Sequence, residues 1–263
     1  MKYNVTAAVL GSGGMGKRYL TVLSRLVDKI ILCTIDEETG RELAEKYGCE
    51  LYTDYEEMFN SETIDFAAIC LPTPLHYPAA ITAMNHSVNV LCEKPFTVSH
   101  EQAAALAAKA ADKTLVCGVV YNNRHLAAIM RAKQLIDEGA LGRILSFSFH
   151  YRHDSDIDPA RFVGWKQDAT VCGAGTLYDL GSHALDLCRY LCGEFTSISG
   201  KSHIAFDTHK QKDGTLWQTN ADEAFYMTAT LQNGAVGQVS VSKLAHGTED
   251  GLTFEIFGTG GAM

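Results

Sequence analysis

Near the N-terminus the residues Gly11-Ser12-Gly13-Gly14-Met15-Gly16 follow a short apolar run and open a helical pattern. Asp36 stands twenty residues beyond Gly16, at the end of the next apolar run. This G-x-G-x-x-G spacing is suited to holding a dinucleotide. Gly11 permits a tight turn, Gly13 lets the backbone approach a pyrophosphate, and Gly16 lets the helix pack against its strand. Gly14 and Met15 complete the loop, and the helix start offers unpaired N–H groups to phosphate. Asp36 is placed to accept hydrogen bonds from ribose hydroxyls. A 2′-phosphate would meet Asp36, Glu37 and Glu38, so NAD is favoured over NADP, with Arg41 the one nearby cation that could offset the repulsion.

Two further constellations can carry chemistry. Glu93-Lys94-Pro95 follows the apolar run Val88–Cys92, and Pro72-Thr73-Pro74 with His76 follows Phe66–Leu71. In an open parallel sheet both segments fall outside the carboxyl ends of strands, where ligands bind. Pro72, Thr73, His76, Glu93 and Lys94 are therefore expected to border the cofactor. The second constellation is Gly173-Ala174-Gly175-Thr176-Leu177-Tyr178-Asp179-Leu180-Gly181-Ser182-His183-Ala184-Leu185-Asp186. On a regular helix Asp179, His183 and Asp186 would share one face. A histidine titrating near neutrality beside a carboxylate can act as a general base. A helix-capping acid and a satisfied buried histidine fit the same spacing, which alone does not separate the two.

The elements that must position these groups follow from hydrophobic periodicity. Strands are expected at Val5–Leu10, Ile30–Ile35, Phe66–Leu71, Val88–Cys92 and Leu115–Val120. Helices alternate with them at Met15–Leu26, Arg41–Tyr47, His76–Asn85 and Gln102–Ala111, the last with a Ser99/Gln102 capping box. Such alternation predicts an α/β, doubly wound parallel sheet over residues 1–121. From residue 122 to 263 the pattern becomes α+β, with a large, mostly antiparallel sheet. Helices are expected at Leu126–Glu138 and Leu177–Leu191, a strand at Ile144–Tyr151, and a polar loop from His153 to Ala169. Leu180, Ala184, Leu187 and Leu191 should form a core stripe, with Gly193 as helix stop. Asn233-Gly234 joins Ala224–Leu231 to Ala235–Ser242 as a hairpin.

Composition narrows the classes. The 263 residues carry a formal charge of −9 and no Lys/Arg run, which argues against nucleic acid and anionic membranes as partners. No apolar run reaches transmembrane length, and the N-terminus lacks the pattern of a signal peptide. The eight cysteines form no C-x-x-C pair, and Cys70, Cys92 and Cys117 lie within apolar runs, as reduced cytosolic thiols do. Cys188 and Cys192 share a helical face but lack partners for zinc, so no metal site is expected.

The segments G-S-G-G-M-G, L-P-T-P-L-H, V-L-C-E-K-P, D-E-G-A-L-G-R-I and G-A-G-T-L-Y-D-L-G-S-H-A-L-D-L together resemble the Gfo/Idh/MocA (glucose–fructose oxidoreductase / inositol dehydrogenase) family over about residues 5 to 195. The resemblance implies a cytoplasmic NAD(P)-dependent dehydrogenase acting on a sugar, inositol or related polyol, assembled as a homodimer or homotetramer through its second sheet. It implies that Lys94 polarises the reacting hydroxyl, that His183 takes its proton, and that Asp179 holds substrate or orients His183. Arg124 and Trp165 become expected substrate contacts. Asp186 matches the motif without an assigned role. An NAD-dependent, redox-assisted glycosidase and a non-catalytic sugar- or nucleotide-sensing regulator are the alternatives on this scaffold. Family members continue beyond Met263, so the second sheet is expected to be incomplete, with an unpaired edge.

Overall fold

The computed structural model describes residues 2–158 and 167–263. The chain divides into two compact units, Met1–Val120 and Tyr121–Met263.

In the first unit, six strands form one parallel sheet: β1 (Tyr3–Leu10), β2 (Val27–Cys33), β3 (Glu50–Tyr52), β4 (Phe66–Ile69), β5 (Asn89–Cys92) and β6 (Cys117–Val119). Their order is β3-β2-β1-β4-β5-β6. Helices α1 (Gly14–Leu26), α2 (Glu37–Tyr47), α3 (Tyr55–Ser61), α4 (His76–Asn85) and α5 (His100–Lys113) connect them. Because successive strand residues point to opposite faces, the run Ala7-Ala8-Val9-Leu10 feeds two cores. Ala8 and Leu10 join Met58, Ala79, Ala83 and Leu106, while Ala7 and Val9 join Leu20, Leu23 and Leu43. This burial on both faces is why the strands read as unbroken apolar runs. Chain direction across the sheet reverses between β1 and β4, so the crevice of a doubly wound fold opens at their carboxyl ends.

The second unit packs helices on one sheet. After α6 (Ala127–Asp137) come β7 (Ile144–Arg152), α7 (Ala169–Cys172), a π-helical turn over Leu177–Gly181, and α8 (Ser182–Cys192). Strands β8 (Phe195–His203), β11 (Ala224–Leu231), β12 (Val236–Ser242) and β13 (Gly251–Gly258) complete a five-stranded sheet of order β13-β7-β12-β11-β8. All its pairs are antiparallel except β7 with β12. A two-stranded ribbon, β9 (Thr208–Lys210) with β10 (Leu216–Gln218), lies between β8 and β11 in sequence. Phe147, Phe149, Val239, Val241 and Ile256 from the sheet meet Leu180, Ala184, Leu187 and Leu191, so the expected core stripe is buried. Gly193 and Gly234 take φ of 112° and 83°, the left-handed region their turn roles require.

The structure departs from the sequence reading in three places. The single helix expected over Leu177–Leu191 is a π turn followed by an α-helix. β3 and α3 were not anticipated: the strand has three residues, and the helix YEEMFNS buries only Met58 and Phe59. β8 is an edge strand with almost every residue exposed, so it shows no alternation to read. All eight cysteines are free thiols. No described helix is long and apolar enough to cross a membrane.

Candidate active site

In the first unit, the glycine turn is fixed by backbone contacts. Gly11 has φ of 106°, and its N–H donates to Cys33 O at 2.8 Å. A Cβ at Gly11 would lie 2.7 Å from Cys70 O, and one at Gly16 would lie 1.9 Å from Gly11 O. Neither position admits a side chain. Gly13 and Gly14 are the reverse case, since a Cβ there would meet nothing within 4 Å. Gly13 caps α1 without a side-chain hydrogen bond, and the first turn of α1 has no acid. The turn thus offers open space before a helix start with unspent N–H groups and no nearby carboxylate of its own. A dinucleotide pyrophosphate fits these requirements.

The rim beside this turn is polar. Ser12 Oγ and Thr34 Oγ1 lie 2.8 Å apart, and Thr34 Oγ1 accepts from Asp36 N at 3.3 Å. Through Thr34, the glycine turn and the end of β2 are tied together, which fixes where Asp36 leaves the strand. Asp36 Oδ1 caps α2 by accepting from Thr39 N at 3.1 Å, and hydrogen bonding from Thr39 holds its carboxyl below the usual range. Arg41 is engaged by Glu37 one helical turn away. A 2′-phosphate would have to displace that pairing to reach the guanidinium.

At the ends of β4 and β5 the expectations separate. Pro72 and Thr73 lead a short 3-10 turn, Thr73–Leu75, directly after β4, and Thr73 is buried. His76, expected beside the cofactor, has both ring nitrogens engaged by main chain. It is buried, its Nε2 lies 2.7 Å from Leu71 O, and its Nδ1 lies 3.0 Å from Pro95 O. Both ring nitrogens face main-chain carbonyls, so His76 ties the β4 loop to the Lys94-Pro95 turn. Burial lowers its pKa, partly opposed by those carbonyls. Glu93 is buried at the end of β5, and desolvation raises its carboxyl pKa, with Lys94 and Tyr19 opposing the shift. Lys94 follows directly on the loop.

In the second unit, Asp179 and His183 stand on the π turn and the first turn of α8. The segment is pinned at its start by Asp222. Asp222 Oδ1 accepts from Gly175 N at 2.8 Å, Oδ2 accepts from Leu177 N at 2.7 Å, and Asp222 O accepts from Thr176 N at 2.8 Å. A Cβ at Gly175 would lie 2.1 Å from Asp222 O, so only glycine allows this docking. Asp179 Oδ2 lies 3.1 Å from Lys243 Nζ, with the lysine side chain 5% exposed and the carboxylate 16%. His183 is buried between two edge-on rings, Tyr121 and Tyr151, each with its centroid 6.1 Å away. Burial first, then Asp250 and Asp179, pushes the Tyr151 hydroxyl up to about 12. It therefore stays protonated and able to donate across the neutral range.

Arg124, expected as a substrate contact, pairs with Asp186 in the second unit. Its Nε donates to Asp186 Oδ2 at 2.8 Å and a second guanidinium nitrogen donates to Asp186 Oδ1, a forked pair. The guanidinium also lies over Tyr190 at 4.9 Å and Tyr121 at 5.8 Å. This ties the segment after β6 to α8 and engages both oxygens of Asp186. Trp165 lies outside the described residues. Lys243, Asp222, Tyr121 and Tyr151 went unnoticed in the sequence because each meets the site from a different element. A buried lysine one residue past a strand has no local signature.

The arrangement is that of a dinucleotide-dependent oxidoreductase: a built phosphate turn in one unit, and a histidine with a lysine-held carboxylate in the other. Residues 5–121 match the oxidoreductase family with an NAD-binding Rossmann fold, and residues 129–263 match the GFO/IDH/MocA C-terminal domain. The chain belongs to the Gfo/Idh/MocA oxidoreductase family, and its first unit is an NAD-binding Rossmann domain. It is 31% identical to levoglucosan dehydrogenase of Pseudarthrobacter phenanthrenivorans, across 99% of this chain and 73% of that one. It is 28% identical to the NAD⁺-dependent scyllo-inositol 2-dehydrogenase of Bacillus subtilis, across 100% of this chain and 74% of that one. The solved structure of levoglucosan dehydrogenase with NADH and levoglucosan superposes with a TM-score of 0.92 at 30% identity, covering 99% of this chain and 72% of that one.

Proposed function

We propose that this protein oxidises one secondary hydroxyl of a sugar, inositol or related polyol, with Lys94, Asp179 and His183 carrying the chemistry. The observation that supports it most directly is His183, buried one turn from a carboxylate that Lys243 holds in place. Likeness to a levoglucosan and a scyllo-inositol dehydrogenase along nearly the whole chain supports the substrate class.

In this reading Lys94 donates a hydrogen bond to the reacting hydroxyl and lowers the cost of removing its proton. His183 takes that proton. The O–H and C–H bonds break, a C=O bond forms, and the hydrogen on carbon departs with its electron pair. NAD, when bound, supplies the acceptor for that hydride at nicotinamide C4. Asp179 remains ionised and accepts a hydrogen bond from substrate or from the imidazole. Glycines 11, 13, 14 and 16, with Met15, hold the pyrophosphate, and Asp36 holds the ribose. Pro72, Thr73 and Glu93 border the nicotinamide. The protein works in the cytoplasm as a homodimer or homotetramer joined through the second sheet.

The test is NADH absorbance with a panel of inositols and aldoses. NADH should accumulate with at least one, and Lys94→Ala or His183→Ala should lower kcat by about 10²–10⁴-fold. Turnover that survives either substitution removes that residue from the mechanism. Tight NAD binding with no net NADH would point instead to a redox-neutral hydrolase or a sensor.

A further inference from the structure

We infer that Lys243 is a positioning residue for this reaction: it keeps the Asp179 carboxylate ionised and fixed in orientation. The inference rests on the proposed role of Asp179. Lys243 lies one residue past β12, and its main chain is fastened on both sides. Its N–H donates to Glu223 O at 2.9 Å, and its carbonyl accepts from Asp156 N at 2.9 Å. From that fixed root the side chain runs inward to place Nζ 3.1 Å from Asp179 Oδ2, with only 5% of its surface exposed.

A lysine is almost never buried to that degree without a partner. Nor does stability explain it. Removing both charges from water costs more than their attraction commonly returns, and an apolar pair of similar volume would hold the same elements together at no loss. The pair makes sense if an ionised carboxylate is needed there. Asp179 is largely shielded from water, and burial alone would favour its protonated form. Tyr151 from β7 faces the same carboxylate with a hydroxyl that does not ionise near neutrality. His183 follows on its own segment, and Cys172 lies on the Lys243 side from α7, with Asp168 beyond it at the helix cap. Lys243 places a cation where it offsets the burial of Asp179.

The experiment compares Lys243→Met, Lys243→Arg, Asp179→Asn and the double variant Lys243→Met/Asp179→Asn in the full chain. Lys243→Met should lower kcat/KM by about 10–100-fold and move its acidic limb upward by about one pH unit or more, as loss of an opposite charge requires. NAD affinity should not change. Lys243→Arg should restore most of the activity, and Lys243→Met should cost nothing further once Asp179 is Asn. A kcat/KM and acidic limb unchanged by Lys243→Met, or a full additional loss in the Asn background, overturns the inference. If Lys243→Met does not fold, Lys243→Gln is read in the same way. Should the wild type oxidise no polyol, the proposed function itself fails. Thermal unfolding of the four proteins then decides separately: losses in Tm that fail to add support the pair, and additive losses overturn it.

Discussion

The two halves of the chemistry are built by opposite means. The phosphate turn of the first unit is a backbone object: its glycines are dictated by contacts with the main-chain oxygens of Cys70 and Gly11. The polar cluster of the second unit is a side-chain object. Asp222 reaches Gly175 and Leu177 from 47 and 45 residues away, and Arg124 reaches Asp186 across 62. A site made of main chain can be altered only by adding atoms to it. A site made of long-range side-chain pairs is altered by removing one partner.

That contrast can be broken at four points. Gly16→Ala should have the largest effect, because its Cβ would sit 1.9 Å from a carbonyl oxygen that has nowhere to move. A loss of about 3 kcal/mol by denaturant unfolding is expected, together with loss of NAD binding. Gly13→Ala is its control: it should cost less than about 1 kcal/mol, as alanine for glycine at a helix cap does, yet weaken NAD by more than about tenfold through the space it fills. If both variants behave alike, the turn is not organised as described.

Asp222→Ala comes next. It strips the N–H groups of Gly175 and Leu177 of a charged acceptor, which should destabilise the second unit by about 2 kcal/mol and lower kcat more than NAD affinity. Equal loss in both would mean that Asp222 does not act through the Asp179–His183 segment. Asp36→Ala is expected to be milder in stability, costing about 1 kcal/mol for a lost helix cap, and to shift the NAD/NADP preference toward NADP. An unchanged ratio would remove Asp36 from ribose recognition.

The smallest effect is expected from Glu93→Gln, read as stability against pH. Burial raises the Glu93 carboxyl pKa, so the folded protein holds that proton more tightly than the unfolded chain does. The stability it contributes is full below the ordinary carboxylate pKa of about 4.3 and is lost as pH rises through the higher folded value. Glutamine does not titrate. Glu93→Gln should therefore unfold at a higher temperature than wild type at neutral pH, with the difference closing in acid. A difference independent of pH would mean that Glu93 is not strained by burial.

How much could be read in advance follows the same divide. The glycine turn, Asp36 and the doubly wound sheet were legible because the signal is local: a strand, a turn and a helix in a row. The core stripe Leu180, Ala184, Leu187, Leu191 was legible because periodicity is local too. The contacts of His76 were not legible, because its position after β4 says nothing about which carbonyls it will meet, and Leu71 and Pro95 engage both nitrogens. Nor was the pairing of Arg124, since Asp186 is close only in the fold. Lys243 was invisible for the plainest reason: a lone lysine after a strand looks like any surface lysine until Asp179 is seen beside it.

The π turn at Leu177–Gly181 carries a consequence for how this segment can vary. It winds more residues into its turn than an α-helix does, between an anchor at Gly175 and Leu177 and the start of α8. An α-helix shortened by one residue turns everything beyond the cut by about 100°. Here the wide turn already absorbs one extra residue, so deleting it would let the helix run regularly with His183 still directed between Tyr121 and Tyr151. A further inserted residue has no such outlet. The segment should thus tolerate the loss of one residue and not the gain of another, and a similar chain one residue shorter between Gly175 and His183 can share this site.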